Sequence, residues 1–150
     1  GDQAAADEKA AEKAQFLFDD LQERVQRYPN DLALRCELGI MLYDNEYINE
    51  AIQQFQLSQR SPKHRTQSLY YLGLCFKAKK QYDLAAEQLE QAASALTAMD
   101  DTKKDIIYQL GEIAEATGDQ QKASGYYKQI YQVDIGYRDI AQKVEQAYQG

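Results

Sequence analysis

The sequence predicts an all-α chain of antiparallel helix pairs, and three observations predict it. A Leu-Gly pair recurs inside apolar stretches: Leu38-Gly39 in RCELGIMLY, Leu72-Gly73 in YYLGLCFKA and Leu110-Gly111 in IYQLGEIAE. The same ladder follows each pair. An alanine stands 13 residues after the leucine (Ala51, Ala85, Ala123), a large residue four further on (Phe55, Leu89, Tyr127), and Ser58, Ala92 and Ile130 three beyond that. Finally, only two prolines and eight glycines punctuate 150 residues, which favours long helices and short turns over many short strands.

The spacing between Leu-Gly pairs is 34 residues and then 38, a period that marks stacked supersecondary units. Each unit reads as two helices around a polar turn: Asp44-Asn45-Glu46, Lys79-Lys80-Gln81 and Thr117-Gly118-Asp119. Glycine inside a helix costs about 1 kcal/mol against alanine, so close approach of the second helix must compensate. The alanines are expected opposite the glycines, with Phe55, Leu89 and Tyr127 filling the space between helices. Stacked pairs would share a core that no single pair can form.

The elements then follow in order. Residues 1–14 are Ala/Glu/Lys-rich and read as an exposed helical or frayed extension. Residues 15–29 carry an apolar stripe at 17, 21, 25 and 28, the helix of an incomplete repeat ending at Pro29. Repeats are expected at 32–62, 65–99 and 101–134, within a single domain. Ser61-Pro62 reads as a helix start, and Asp100 or Asp101 as an N-cap. The four extra residues near SALTAMDDTKKD are expected to lengthen the second helix of repeat two by a turn. Residues 136–149 read as a capping helix with Ile140, Val144 and Ala147/Tyr148 on one face.

The Leu-Gly…Ala…Phe/Tyr pattern over roughly residues 32–134 resembles the tetratricopeptide repeat. Gln81-Tyr82-Asp83-Leu84-Ala85 and Gly118-Asp119 match that family's turn, and Pro62 approximates its proline after the second helix. The sequence departs from the pattern where Arg35, Leu69 and Ile107 replace an opening aromatic, Gln120 a tyrosine, and Ile130 a small residue. The resemblance implies a right-handed superhelical array of about three repeats, a TPR-like α-solenoid, flanked by the N-terminal and capping helices. It also implies a concave groove lined by first helices. By position its residues are Ala33, Cys36, Ile40 and Tyr43, then Gln67, Tyr70, Tyr71, Leu74 and Lys77, then Asp105, Tyr108, Glu112 and Glu115. That groove is aromatic and aliphatic at its start and acidic towards its end. The positions that grip a C-terminal carboxylate in chaperone-binding relatives hold Cys36, Ile40, Tyr71, Asp105 and Gln109. None supplies positive charge, so an acidic-tail clamp is excluded.

Composition removes other classes. The net charge of −7 and pI near 4.7 oppose nucleic-acid binding and docking on anionic lipid. The basic cluster Arg60, Lys63, His64, Arg65 reads as solvated surface. No stretch approaches the length of a membrane span. The polar start GDQAAADEKAAEKAQ lacks a signal-peptide pattern. Its glycine start suits a processed or cloned fragment, which leaves room for a targeting segment in a parent chain. Cys36 and Cys75 form no metal or redox spacing and read as buried hydrophobes, consistent with a cytoplasmic setting. The single histidine, His64, has no base-orienting neighbour, and no phosphate loop, HExxH or nucleophile elbow occurs. The expectation is a non-catalytic chain without cofactor or metal, whose partner is another protein or peptide segment; a homo-oligomer is left open. Two readings remain: a scaffold capturing a partner segment in the groove, or a structural or oligomerisation module whose groove its own chain fills.

Overall fold

A computed structural model describes residues 1–149, and every regular element among them is an α-helix. They divide into two compact units, residues 1–64 and 65 onward. The first holds α1 (Asp2–Arg27), α2 (Leu32–Asp44) and α3 (Ile48–Ser58). The second holds α4 (Arg65–Ala78), α5 (Tyr82–Ser94), α6 (Asp101–Ala116), α7 (Gln120–Tyr131) and α8 (Ile140–Gln149). The pairs α2/α3, α4/α5 and α6/α7 are the tightest neighbours.

The Leu-Gly glycines explain that pairing. A Cβ built on Gly39 would stand 2.7 Å from the Phe55 ring. On Gly73 it would meet the Leu89 side chain at 2.5 Å, and on Gly111 the Tyr127 ring at 2.4 Å. The three large residues are almost wholly buried, so none can retreat. The expected partner of each glycine was the alanine of the ladder; the structure puts the large residue there instead. Ala51, Ala85 and Ala123 are buried beside it, one helical turn earlier, where a small side chain lets the backbones approach.

The three hairpin turns share one backbone solution. Glu46, Lys80 and Gly118 all have positive φ (69°, 60° and 82°). The following N–H groups reach back across six residues: Tyr47 to Leu42 O, Gln81 to Phe76 O and Asp119 to Ala114 O, each at 2.9 Å. This is a Schellman closure, which satisfies orphan carbonyls at a helix end. Glycine occupies the left-handed position only in the last turn; Glu46 and Lys80 bear the Cβ penalty there. Two of the first helices, α2 and α6, start on side-chain caps: Asp31 accepts from Leu34 N–H and Asp100 from Lys103 N–H. Asp119 caps α7 through Lys122 N–H.

Three expectations are corrected. The extra residues between the second and third pairs do not extend α5, which ends at Ser94; they form the connection up to the Asp100 cap. Helix α4 begins at Arg65, not at Ser61-Pro62. Residues 61–64 form a separate turn, closed by His64 N–H on Ser61 O and by Ser61 Oγ against His64 Nδ1 at 3.1 Å. In α8, Ile140 and Val144 enter the core but Tyr148 stays 75% exposed, with Lys128 Nζ 4.7 Å from its ring centroid. A tyrosine at a helix end can thus keep its hydroxyl in water and offer its face to a cation.

Helix α1 is continuous. Alanine propensity and spaced side-chain pairs support it, Gln3–Asp7 in its exposed first half and Gln15–Asp19 further along, both at 2.9 Å. Leu21 and Val25 are its buried residues. Beyond its end, Arg35 of α2 donates to Pro29 O (2.7 Å) and to Gln54 of α3 (3.0 Å). An arginine at this aromatic position therefore ties the α1–α2 connection to the hairpin.

Gly39→Ala is expected to lower stability. Overpacking costs about 1–3 kcal/mol, and the helix-propensity gain of about 1 kcal/mol offsets only part of it. Shrinking the ring with Phe55→Leu in the same chain should recover part of the loss. Urea titration of the singles and the double checks this; additive losses would disprove the notch. Lys80→Gly should raise stability by about 0.5–1 kcal/mol and Gly118→Lys should lower it by about 1 kcal/mol, read from the same titration midpoints.

Candidate partner-binding face

In the first unit, α2 carries four predicted groove residues, of which Ala33 is half-buried at its start. Ile40 and Tyr43 are half-buried, while Cys36 is only 2% exposed and offers no accessible surface.

In the second unit, the helical period places Tyr70, Tyr71, Leu74 and Lys77 on one side of α4, with Gln67 a turn earlier. Leu69, Leu72 and Cys75 point the other way and are at most 1% exposed. Gln67 is exposed, and Tyr70, Tyr71, Leu74 and Lys77 are half-buried. The rings of Tyr70 and Tyr71 meet edge-on, centroids 5.6 Å apart. On α6 the same period lines up Asp105, Tyr108, Glu112 and Glu115. Lys77 joins the two helices: its Nζ donates to Gln109 Oε1 at 2.6 Å and to Glu112 Oε1 at 2.8 Å.

The connection from α7 to α8 then folds over the start of α6. Tyr137 donates its hydroxyl to Asp105, and Arg138 reaches the same carboxylate at 3.3 Å. The Arg138 guanidinium lies 4.7 Å from the Tyr108 ring centroid and 5.3 Å from that of Tyr137. Tyr108, 7% exposed, donates its hydroxyl to Asp139 at 2.8 Å. Of the predicted groove residues on α6, Tyr108 is thus covered by the chain itself, and Glu112 remains half-buried at the surface.

The expected acidic end of the groove carries its own counter-ions. Arg138 faces Asp105 (3.3 Å), Lys77 faces Glu112 (2.8 Å) and Lys143 of α8 faces Glu115 (3.1 Å). The first helices alone show three acids there. Of the cations, Lys77 belongs to α4, itself a first helix, while Arg138 and Lys143 come after the last complete pair, where the repeat gives no instruction. Tyr137, Arg138, Asp139 and Lys143 were the residues that sequence reasoning missed. The one available signal was YRD at 137–139, about one repeat length after Asp105.

Burial, helped by Asp139, pushes the Tyr108 phenol well above its ordinary range, and burial with Asp105 does the same for Tyr137. The Tyr127 phenol is raised too, first by burial and then by Glu115. Its hydroxyl lies close to that carboxylate but outside hydrogen-bond geometry. A polar hollow of about 490 Å³ opens among α6, α7 and α8, lined by Glu115, Ser124, Tyr127, Lys143 and Gln146 among others. Of the predicted groove residues, Glu115 lines it. Among the described residues no cluster of side chains could hold a metal ion, and no helix is long and apolar enough to cross a membrane.

No family model matches the sequence, and no curated protein matches it. Solved structures do match the fold. The crystal structure of MamA superposes with a TM-score of 0.79 at 19% identity, over 96% of this chain and 82% of that one. A putative kinesin light chain with nearly identical TPR-like repeats gives 0.74 at 19% identity, over 98% and 82%. The chain has the tetratricopeptide-repeat fold. YrrB, described as a TPR protein with an unusual peptide-binding site, gives 0.69 at 14% identity, over 83% of this chain and 62% of that one. At such identities the tetratricopeptide likeness concerns backbone and packing, and the side chains of the face must be read on their own chemistry.

Cys75 sits directly beneath the face. Burial pushes its thiol up to about 12, with Lys79 pulling slightly the other way. A folded-state pKa above the unfolded one gives stability that is full below about pH 9 and falls as pH rises towards about 12. Cys75→Ala should flatten that alkaline decline. In the native wild type at about pH 8.5, alkylation of Cys75 should lag the urea-unfolded chain by more than about a hundredfold, followed by intact mass.

Proposed function

We propose that this chain is a non-catalytic interaction scaffold that holds a segment of a partner protein against the α4–α6 face of its second unit. One observation carries the reading. Tyr70, Tyr71 and Leu74 form a half-exposed aromatic and aliphatic stripe beside the Lys77 bridge, on helices whose opposite sides are already committed to the core. Tyrosine offers a large contact area at low entropic cost together with a hydroxyl, a combination suited to binding. The peptide-binding site of the similarly folded YrrB supports the class of partner. The half-buried Ile40 and Tyr43 of the first unit are candidates for the same work. The lone His64 lies in a turn against Ser61, an arrangement that favours no reaction.

A second reading has its own observation. Tyr137 and Arg138 already cover Tyr108, which is what a structural module closing its face with its own chain would do. Tyr70→Ala separates the two. A binding face loses at least about tenfold in affinity for peptides selected on the wild-type chain, with a stability loss below about 1.5 kcal/mol for a half-buried ring. A closed structural face loses about 3–5 kcal/mol and binds no peptide in either form. Peptide titration and urea unfolding of the same two proteins give the answer.

A further inference from the structure

The charge pattern of the second unit's face points to the kind of segment it takes. The side chains of Lys77, Asp105, Glu112, Glu115, Arg138 and Lys143 are between 22% and 44% exposed. A segment laid across the face would remove water from them. An unpaired charge so covered carries a large desolvation penalty, while one already paired and hydrogen-bonded carries much less. Here every one is paired in advance: Arg138 with Asp105, Lys77 with Glu112 and Lys143 with Glu115. The remaining carboxylate at this edge, Asp139, accepts the Tyr108 hydroxyl. Lys77 also donates to Gln109, so two of its three ammonium protons are engaged.

A partner carboxylate would have to take Lys77 or Arg138 from its acid, or sit beside that acid and be repelled. A partner lysine or arginine would meet the mirror problem. Neither sign gains what it would gain from a bare charge. The surface between the pairs is Tyr70, Tyr71 and Leu74, which reward apolar contact. Resting on the reading of this face given above, we infer that its ligand is a peptide segment uncharged where it touches the face: aliphatic or aromatic residues with amide or hydroxyl groups, bound by an interaction nearly indifferent to salt. The face complements such a segment because its own charges are spent on each other.

The test is selection of a random phage-displayed peptide library on the full 150-residue chain, with the Tyr70→Ala/Leu74→Ala chain as the counter-selection. Circular dichroism verifies the fold of that variant. Enriched peptides should be depleted of Asp, Glu, Lys and Arg. Their affinity should change less than about twofold between about 0.05 M and about 0.5 M salt, where exposed charges are strongly screened. Glu112→Gln, which leaves Lys77 without its acid, should shift the enriched set towards acidic peptides and make binding fall at least about threefold over the same salt range. Charged peptides with steep salt dependence on the wild type would overturn this inference and leave the binding reading intact. No enrichment over the double variant would overturn both. Concentration-dependent self-association abolished by the double variant would make the occupant a second copy and also overturn the inference.

Discussion

Packing of one large side chain against one missing Cβ sets the geometry of each helix pair. Gly39 receives Phe55, Gly73 receives Leu89 and Gly111 receives Tyr127, with contacts so short that no other residue type fits without movement. A glycine in mid-helix forgoes about 1 kcal/mol. Burying an aromatic or leucine side chain returns about 1.5–3 kcal/mol, so the exchange favours the paired state. It also fixes the axial register, because a ring has only one recess to enter. Once the register is fixed, the side of the first helix facing away from the second is determined as well. On α4 that is the side bearing Tyr70, Tyr71 and Leu74.

The turns are subordinate to this packing. Glu46 and Lys80 adopt left-handed backbone that costs about 1–2 kcal/mol for a residue with a Cβ. Nothing local requires those residue types. The strain persists because the Schellman bonds and the notch hold both helices in place across the turn. In the third pair Gly118 removes that cost, and Asp119 adds a side-chain cap that Tyr47 and Gln81 do not supply. The third hairpin therefore has the best local sequence and the largest notch residue, Tyr127.

Most of the fold was legible because its determinants are periodic. Leu-Gly, alanine and the large residue recur at fixed spacing, and each occurrence has a packing reason that glycine geometry makes specific. The errors fell where no period operates. Ser61-Pro62 has the composition of a helix start, but a turn held by Ser61 and His64 intervenes before Arg65. The extra residues after Ser94 joined a connection because Asp100 offered a cap that a longer α5 would have left unused. For the face, periodicity located the α4 stripe correctly on one side of its helix. It could not show that Tyr108 would be covered, since Tyr137 and Arg138 lie beyond the last repeated pair and approach α6 through tertiary folding.

The covering of Tyr108 changes what the face can be. Read from α4 and α6 alone, it runs from tyrosines to an acidic end where Lys77 answers Glu112 but Asp105 and Glu115 stand unopposed, and would recruit a basic partner. With Arg138, Lys77 and Lys143 in place, the same helices present nearly balanced charge in which each ion has a partner within 3.3 Å. Exposed ion pairs of this kind contribute little to stability, of order 0–1 kcal/mol each. Their larger effect is on selection, because a pre-paired ion cannot reward a second counter-ion as fully as a bare one can. The cation–π contact of Arg138 with Tyr108 and Tyr137 adds a rigid edge to the aromatic surface. The chain's negative net charge therefore does not determine the chemistry of this face. Discrimination there rests on the shape and polarity of Tyr70, Tyr71 and Leu74, and long-range attraction has little part in it.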